Sequence, residues 1–200
     1  MQKQTGIKQR IAGLTSIILN PFLISLTLIL LFSFTSTPST SEAIKWVLIS
    51  MAVSILPVSV IVIYLLRHGT LDTFFINVRQ QRTRIYLLGC LCAITGCFIL
   101  SYLQAPQVLV AGFTVALLTT IMFMLINLWW KISVHTGFIA ASSVVLVMMY
   151  GWVAAATIAL VPLTAWARIE LKYHSLAQAV SGAVLATLIA VAVYYPIAIA

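Results

Sequence analysis

The stretch Val108 to Trp130, VLVAGFTVALLTTIMFMLINLWW, decides the fold. No charged residue interrupts it. As an α-helix rising 1.5 Å per residue it reaches about 35 Å, more than the roughly 30 Å hydrocarbon core of a bilayer. Its apolar residues do not alternate with polar ones, which argues against a barrel strand. It closes on Asn127 and on Trp129-Trp130, an aromatic pair suited to a membrane–water interface. Lys131-Ile132-Ser133-Val134-His135 follows at once.

The rest of the chain reads the same way. Of its 200 residues, 62% are hydrophobic and 7% charged, against about a quarter charged in a soluble domain. The expected fold is all-α: a polytopic transmembrane helical bundle of about seven spans, or six if one run is re-entrant, forming one integral membrane domain over residues 1–200. The spans run from about Ile11 to Phe34, Ala43 to Leu66, Ile85 to Leu103, Val108 to Trp130, Ser133 to Tyr150, Trp152 to Ile169, and His174 to the C-terminus. Asn20-Pro21 kinks the first, while Pro57 and Pro162 sit inside the second and sixth. Ala105-Pro106-Gln107 and Gly151 mark turns. The basic head (Lys3, Lys8, Arg10) followed by a long apolar run reads as an uncleaved first helix. Small residues in the fifth helix (Gly137, Ala140, Ala141, Ser142, Ser143) and seventh (Ser181, Gly182, Ala183) suit close helix packing.

Eleven Lys and Arg face three acids, for a net charge of +8. Such an excess ordinarily orients loops toward the cytoplasm. Seven of the eleven, however, fall in three short segments: Arg67, Arg79, Arg82 and Arg84; Lys131; Arg168 and Lys172. An anionic ligand is the competing explanation. Nucleic acid is not expected, since no soluble basic domain exists to bind it. Cys90, Cys92 and Cys97 share one apolar run with no histidine or acid beside them, which predicts neither a metal site nor a disulfide.

Two junctions each place a histidine and cations at the end of an apolar run: Lys131 to His135, and Arg168-Ile169-Glu170-Leu171-Lys172-Tyr173-His174. Ionisable groups at membrane depth are costly and point to a site. The polar segment 67–84 and these two junctions follow the second, fourth and sixth spans, so all three fall on one side. The N-terminal cations share that side, and the opposite loops carry only Lys45 and Glu42. The positive-inside rule then puts the site on the cytoplasmic face of the cell membrane.

These residues resemble the type 2 phosphatidic acid phosphatase superfamily. Arg168-x5-His174 followed by a small-residue helix looks like its third motif. Ser133-x-His135 looks like the end of its Pro-Ser-Gly-His second motif, and the segment holding Arg79 and Arg82 like its first, cation-bearing motif. The resemblance covers about residues 72–186 as a phosphatase-like core. It departs from the family at Ile132 and Val134 in the second motif. Ala167 stands where the third motif has serine, and Gln178 where an acid would orient the second histidine.

The resemblance implies a membrane-embedded phosphatase or diphosphatase acting on a lipid phosphate, of polyprenyl diphosphate or phosphatidate type. His174 would be the nucleophile that forms a phosphohistidine, with Gln178 accepting its other N–H. His135 would protonate the leaving oxygen. Arg168, Arg79, Arg82 and Arg84 would clamp the phosphate oxygens, with Lys131 a further cation. Ser133 and backbone N–H groups opening the fifth helix would add donors. Asp72 would hold the arginines in place. No metal or other cofactor is implied, and the partners are membrane lipids. The rival reading is a non-catalytic lipid-phosphate-binding or structural membrane protein. A transporter or channel is the third, and no inverted repeat supports it.

Overall fold

The structure, a computed structural model, describes residues 6–68 and 79–199, with the backbone alone for 79–81. Asp72 therefore lies outside the described residues, as does the side chain of Arg79. The fold is an all-α helical bundle, and no strand occurs among the described residues. The elements are α1 (Ile7–Ile18), α2 (Pro21–Thr35), α3 (Thr40–Val53), α4 (Ile55–Arg67), α5 (Arg79–Tyr102), α6 (Gln107–Ile126), α7 (Val134–Tyr150), a 3-10 stretch (Gly151–Ala159), α8 (Leu160–Glu170) and α9 (Leu176–Ala198).

Five helical stretches are long and apolar enough to cross a membrane, or six when the broken pair α1 and α2 counts as one span. One of them, Val134–Glu170, holds both the expected fifth and sixth helices. It is not one straight rod. Gly151 has φ +67° and ψ −149°, a backbone open mainly to glycine. Beyond it, the 3-10 stretch and α8 pack back against α7.

The other breaks also have local causes. Asn20 ends α1 and opens α2, where its side-chain oxygen accepts from the Leu23 N–H at 2.9 Å. Pro57 cannot bond to the carbonyl one turn before it, and the helix breaks at Ser54 between α3 and α4. The α5–α6 turn is closed by bonds from the Ala105 N–H to the Leu100 carbonyl (2.9 Å) and from the Gln104 N–H to the Ser101 carbonyl (3.1 Å). Gln104 has φ +57°, so this is a Schellman cap with glutamine at the left-handed position and Pro106 just after it.

One expectation is corrected. Arg79, Arg82 and Arg84 do not belong to a loop, because α5 begins at Arg79 and carries all three on its first two turns. Arginine and glutamine are good helix formers, and no Gly or Pro separates Arg79 from Ile85, so the apolar helix extends back through its basic flank.

The chain divides into two compact units. One holds the described residues up to Ile24 together with those from Lys131 onward, and the other runs from Ser25 to Trp130. In the first, α7 packs along α9, and α8 packs on α7, α9 and α1. In the second, α5 packs on α6, α3 and α4.

Candidate functional site

Both histidine junctions fall in the first unit, and helix caps bring them together. Ser133 is the N-cap of α7: its backbone is extended and its Oγ accepts from the Thr136 N–H at 3.5 Å. Ser175 caps α9 the same way, and Gln178 completes a reciprocal capping box with it. The two capped turns lie against each other. The Ser133 N–H donates to the Gln178 carbonyl (3.2 Å), and the Thr136 hydroxyl donates to the carbonyls of Ala179 (3.0 Å) and Ser133 (3.2 Å). Gly182 makes this approach possible, because a Cβ there would stand 2.5 Å from the Ser133 carbonyl oxygen. Two helix N-termini thus meet at one end of the unit, an arrangement that favours negative charge. His135 is the second residue of α7, and His174 immediately precedes the Ser175 cap of α9.

The same geometry accounts for the interval between Arg168 and His174. Arg168 sits in the last turn of α8. The Tyr173 N–H donates to the Arg168 carbonyl at 3.0 Å, and the Lys172 N–H to the Ile169 carbonyl at 2.8 Å. With Lys172 at φ +58°, this is a second Schellman cap with a non-glycine residue in the left-handed position. The His174 N–H also reaches the Arg168 carbonyl, at 3.3 Å. Five intervening residues are what the cap consumes before the chain can open α9.

Arg168 is 5% exposed. Its Nη1 donates to Ser16 Oγ on α1 at 2.8 Å, and its guanidinium lies 4.5 Å from the centre of the Tyr173 ring. The bond from the Ser133 N–H to the Gln178 carbonyl joins the His135 junction to α9, and the His174 N–H bond to the Arg168 carbonyl joins α9's start to α8, so all three residues stand at this end of the unit. The cluster is therefore two imidazoles and a buried guanidinium.

The tautomer of His174 follows from its neighbour. Gln178 Oε1 accepts from the Ser175 backbone N–H at 3.1 Å, which fixes the oxygen end of the amide. The same oxygen lies 3.3 Å from His174 Nδ1. Since an amide oxygen can only accept, Nδ1 carries the hydrogen, and the neutral ring keeps its lone pair on Nε2.

The remaining sequence-predicted residues are placed as follows. Ser133 is fully buried, and its hydroxyl serves the cap of α7. Lys131 is half-buried, three residues before α7. Arg82 and Arg84 belong to the other unit. Arg82 is buried there, with its Nη2 donating to the Tyr86 hydroxyl at 2.8 Å. Arg84 is exposed and two residues along the same helix, so the pair points to opposite sides of α5 and does not converge on one group. Beside them, buried Asn127 donates to the Thr83 hydroxyl at 3.3 Å. Among the described residues no cluster of His, Cys, Asp and Glu could hold a metal ion.

Two contributors, Ser16 and Thr136, lie outside the sequence motifs, and a third, Tyr173, fills an unspecified position between Arg168 and His174. The signal for Ser16 is the small pair Ala12 and Ser16, one turn apart and fully buried on an α1 whose Ile7, Ile11, Leu14 and Ile18 are exposed. No protein-family model matches the chain, and no curated protein or solved structure gives a significant match.

Proposed function

We propose that the chain is a membrane-embedded phosphatase or diphosphatase for a lipid phosphate, related to the type 2 phosphatidic acid phosphatases and working through a phosphohistidine on His174. One observation carries this reading. The contact of Gln178 with His174 Nδ1 leaves the lone pair on Nε2, at a junction that main-chain bonds join to the turn carrying His135 and to the buried Arg168.

Nε2 of His174 attacks phosphorus while the bond from phosphorus to the lipid oxygen breaks. His135 gives that oxygen its proton. Water then attacks the phosphohistidine with His135 taking a proton, and inorganic phosphate leaves with His174 restored. Arg168 holds the non-bridging oxygens. The guanidinium of Arg168 would oppose a positive charge on His135, and a phosphate dianion held by Arg168 would offset that repulsion and let His135 carry the proton it donates. The apolar spans keep the lipid tail in the bilayer while the headgroup reaches the junctions. The clustering of cations on one side of the expected spans supports a site on the cytoplasmic face of the cell membrane.

Binding of a lipid phosphate without turnover is the second reading. It is favoured by Gln178, whose place in the capping box is a complete structural duty and whose amide supplies a dipole where a carboxylate would supply charge. Phosphate release from a panel of lipid phosphates and diphosphates by the purified protein separates the two. The parent should release phosphate and His174→Ala should not, while melting as the parent does. Equal turnover by His174→Ala would remove the nucleophile assignment. Binding without release by the parent would establish the second reading.

A further inference from the structure

We infer that α1, which lies outside the segment carrying the phosphatase resemblance, completes the site: Ser16 is a positioning residue that fixes the phosphate-binding guanidinium of Arg168. The inference rests on the functional reading above. A guanidinium on a long side chain has several rotamers, and only some direct its planar fork at a given anion. Contacts to its side chain and to its main chain restrict it here. Ser16 Oγ takes a hydrogen from Nη1 at 2.8 Å. The Tyr173 ring covers one face at 4.5 Å. The Arg168 main chain is fixed by the cap, its carbonyl receiving both the Tyr173 and His174 N–H groups.

Of these, Ser16 alone is distant in sequence, and it is placed to do little else. It is fully buried on a helix whose other buried residue is Ala12. A serine has one oxygen, whereas a guanidinium has five N–H donors, so this bond orients the group without exhausting it. Removing the hydroxyl deletes a hydrogen bond to a charged group and frees the guanidinium to rotate, yet takes away a single atom at a helix contact where alanine already stands one turn earlier.

The test is a cycle on the purified full chain, with vanadate as a mimic of the five-coordinate phosphoryl group. Ser16→Ala should weaken vanadate binding about tenfold, the usual weight of a charge-assisted hydrogen bond. It should also raise KM more than it lowers kcat. In an Arg168→Lys background the same change should have no effect, since an ammonium cannot reproduce the fork that Ser16 holds. A purely structural role for Ser16 would lower the melting temperature equally in both backgrounds and leave vanadate affinity alone. If the parent binds vanadate and Ser16→Ala binds it as tightly, the positioning role is wrong while the functional reading stands. If the parent binds neither vanadate nor lipid phosphates, the functional reading falls and this inference with it.

Discussion

Gly182→Ala tests whether the meeting of α7 and α9 sets the site. The added Cβ would lie 2.5 Å from the Ser133 carbonyl oxygen and 3.4 Å from the Thr136 hydroxyl. Ordinary contact begins at 3.4 Å, so the two helix starts must part by about 0.9 Å. The carbonyl cannot swing aside cheaply. It accepts from the Gly137 N–H at 3.2 Å and the Thr136 hydroxyl at 3.2 Å, and the Ser133 N–H is held by the Gln178 carbonyl. The strain therefore passes into the spacing of α7 and α9. Overpacking of this kind costs about 1–3 kcal/mol. At this chain length each kcal/mol lowers the melting temperature by about 2–4 °C.

Under the proposed function the larger effect should be on turnover, because His135 rides on the start of α7 and His174 precedes the cap of α9. A misplacement near 1 Å costs on the order of 100-fold in rate. Gly13→Ala is the control. Gly13 lies inside α1 with nothing within 4 Å of its would-be Cβ, and alanine there should leave turnover unchanged and add up to about 1 kcal/mol of helix stability. Melting curves in detergent and phosphate release under saturating substrate read both quantities. If Gly182→Ala matched the parent in both, the contact at Ser133 would not be what spaces the two histidines.

Lys172→Gly relieves a left-handed backbone at φ +58° and should raise stability by about 1 kcal/mol; an unchanged melting temperature would mean that the cap does not hold that conformation. Gln178→Glu keeps the acceptor for both Ser175 and His174 and adds charge. Turnover should rise by about an order of magnitude, and a loss would mean that the amide itself is needed. A single cysteine, Lys172→Cys, in a variant lacking Cys90, Cys92 and Cys97 should react with an impermeant thiol reagent in inside-out vesicles. Reaction in intact cells would put the site on the outer face.

The helices were legible because length and unbroken apolarity are properties of single segments. The turns at Gly151 and Ala105–Gln107 were legible for the same local reason. The basic segment was misjudged at its end because charge was taken for loop, whereas Arg79 to Arg84 has helix-forming composition and simply prolongs α5. That error matters at the site: on a helix, Arg82 and Arg84 diverge, while in a loop they could have converged. Span parity put the two histidine junctions on one side, and the structure joins them there through the capped turns that open α7 and α9. Ser16 was not legible, because its role depends on α1 packing against α8, a contact between segments some 150 residues apart that no short motif encodes.

Gln178 shows how an amide can orient a histidine without a carboxylate. An acid at this position would do two separable things: accept the Nδ1 hydrogen of His174, and place a negative charge beside the ring. The first needs only an oxygen in the right place, and here the capping box supplies the place. Ser175 fixes the amide through its backbone N–H, and the amide then fixes the imidazole. The orientation of His174 is thus inherited from the start of α9 and needs no acid at this position. An amide does not perform the second, so under the proposed phosphohistidine reading His174 would lack the stabilisation a carboxylate gives to a ring that gains positive charge during attack. Capping and orientation are therefore coupled through one oxygen, while charge is independent of both. Under the proposed function, substitutions at Gln178 that keep the oxygen but change its charge should act on rate, and those that remove the oxygen should unfasten the helix start and the histidine together.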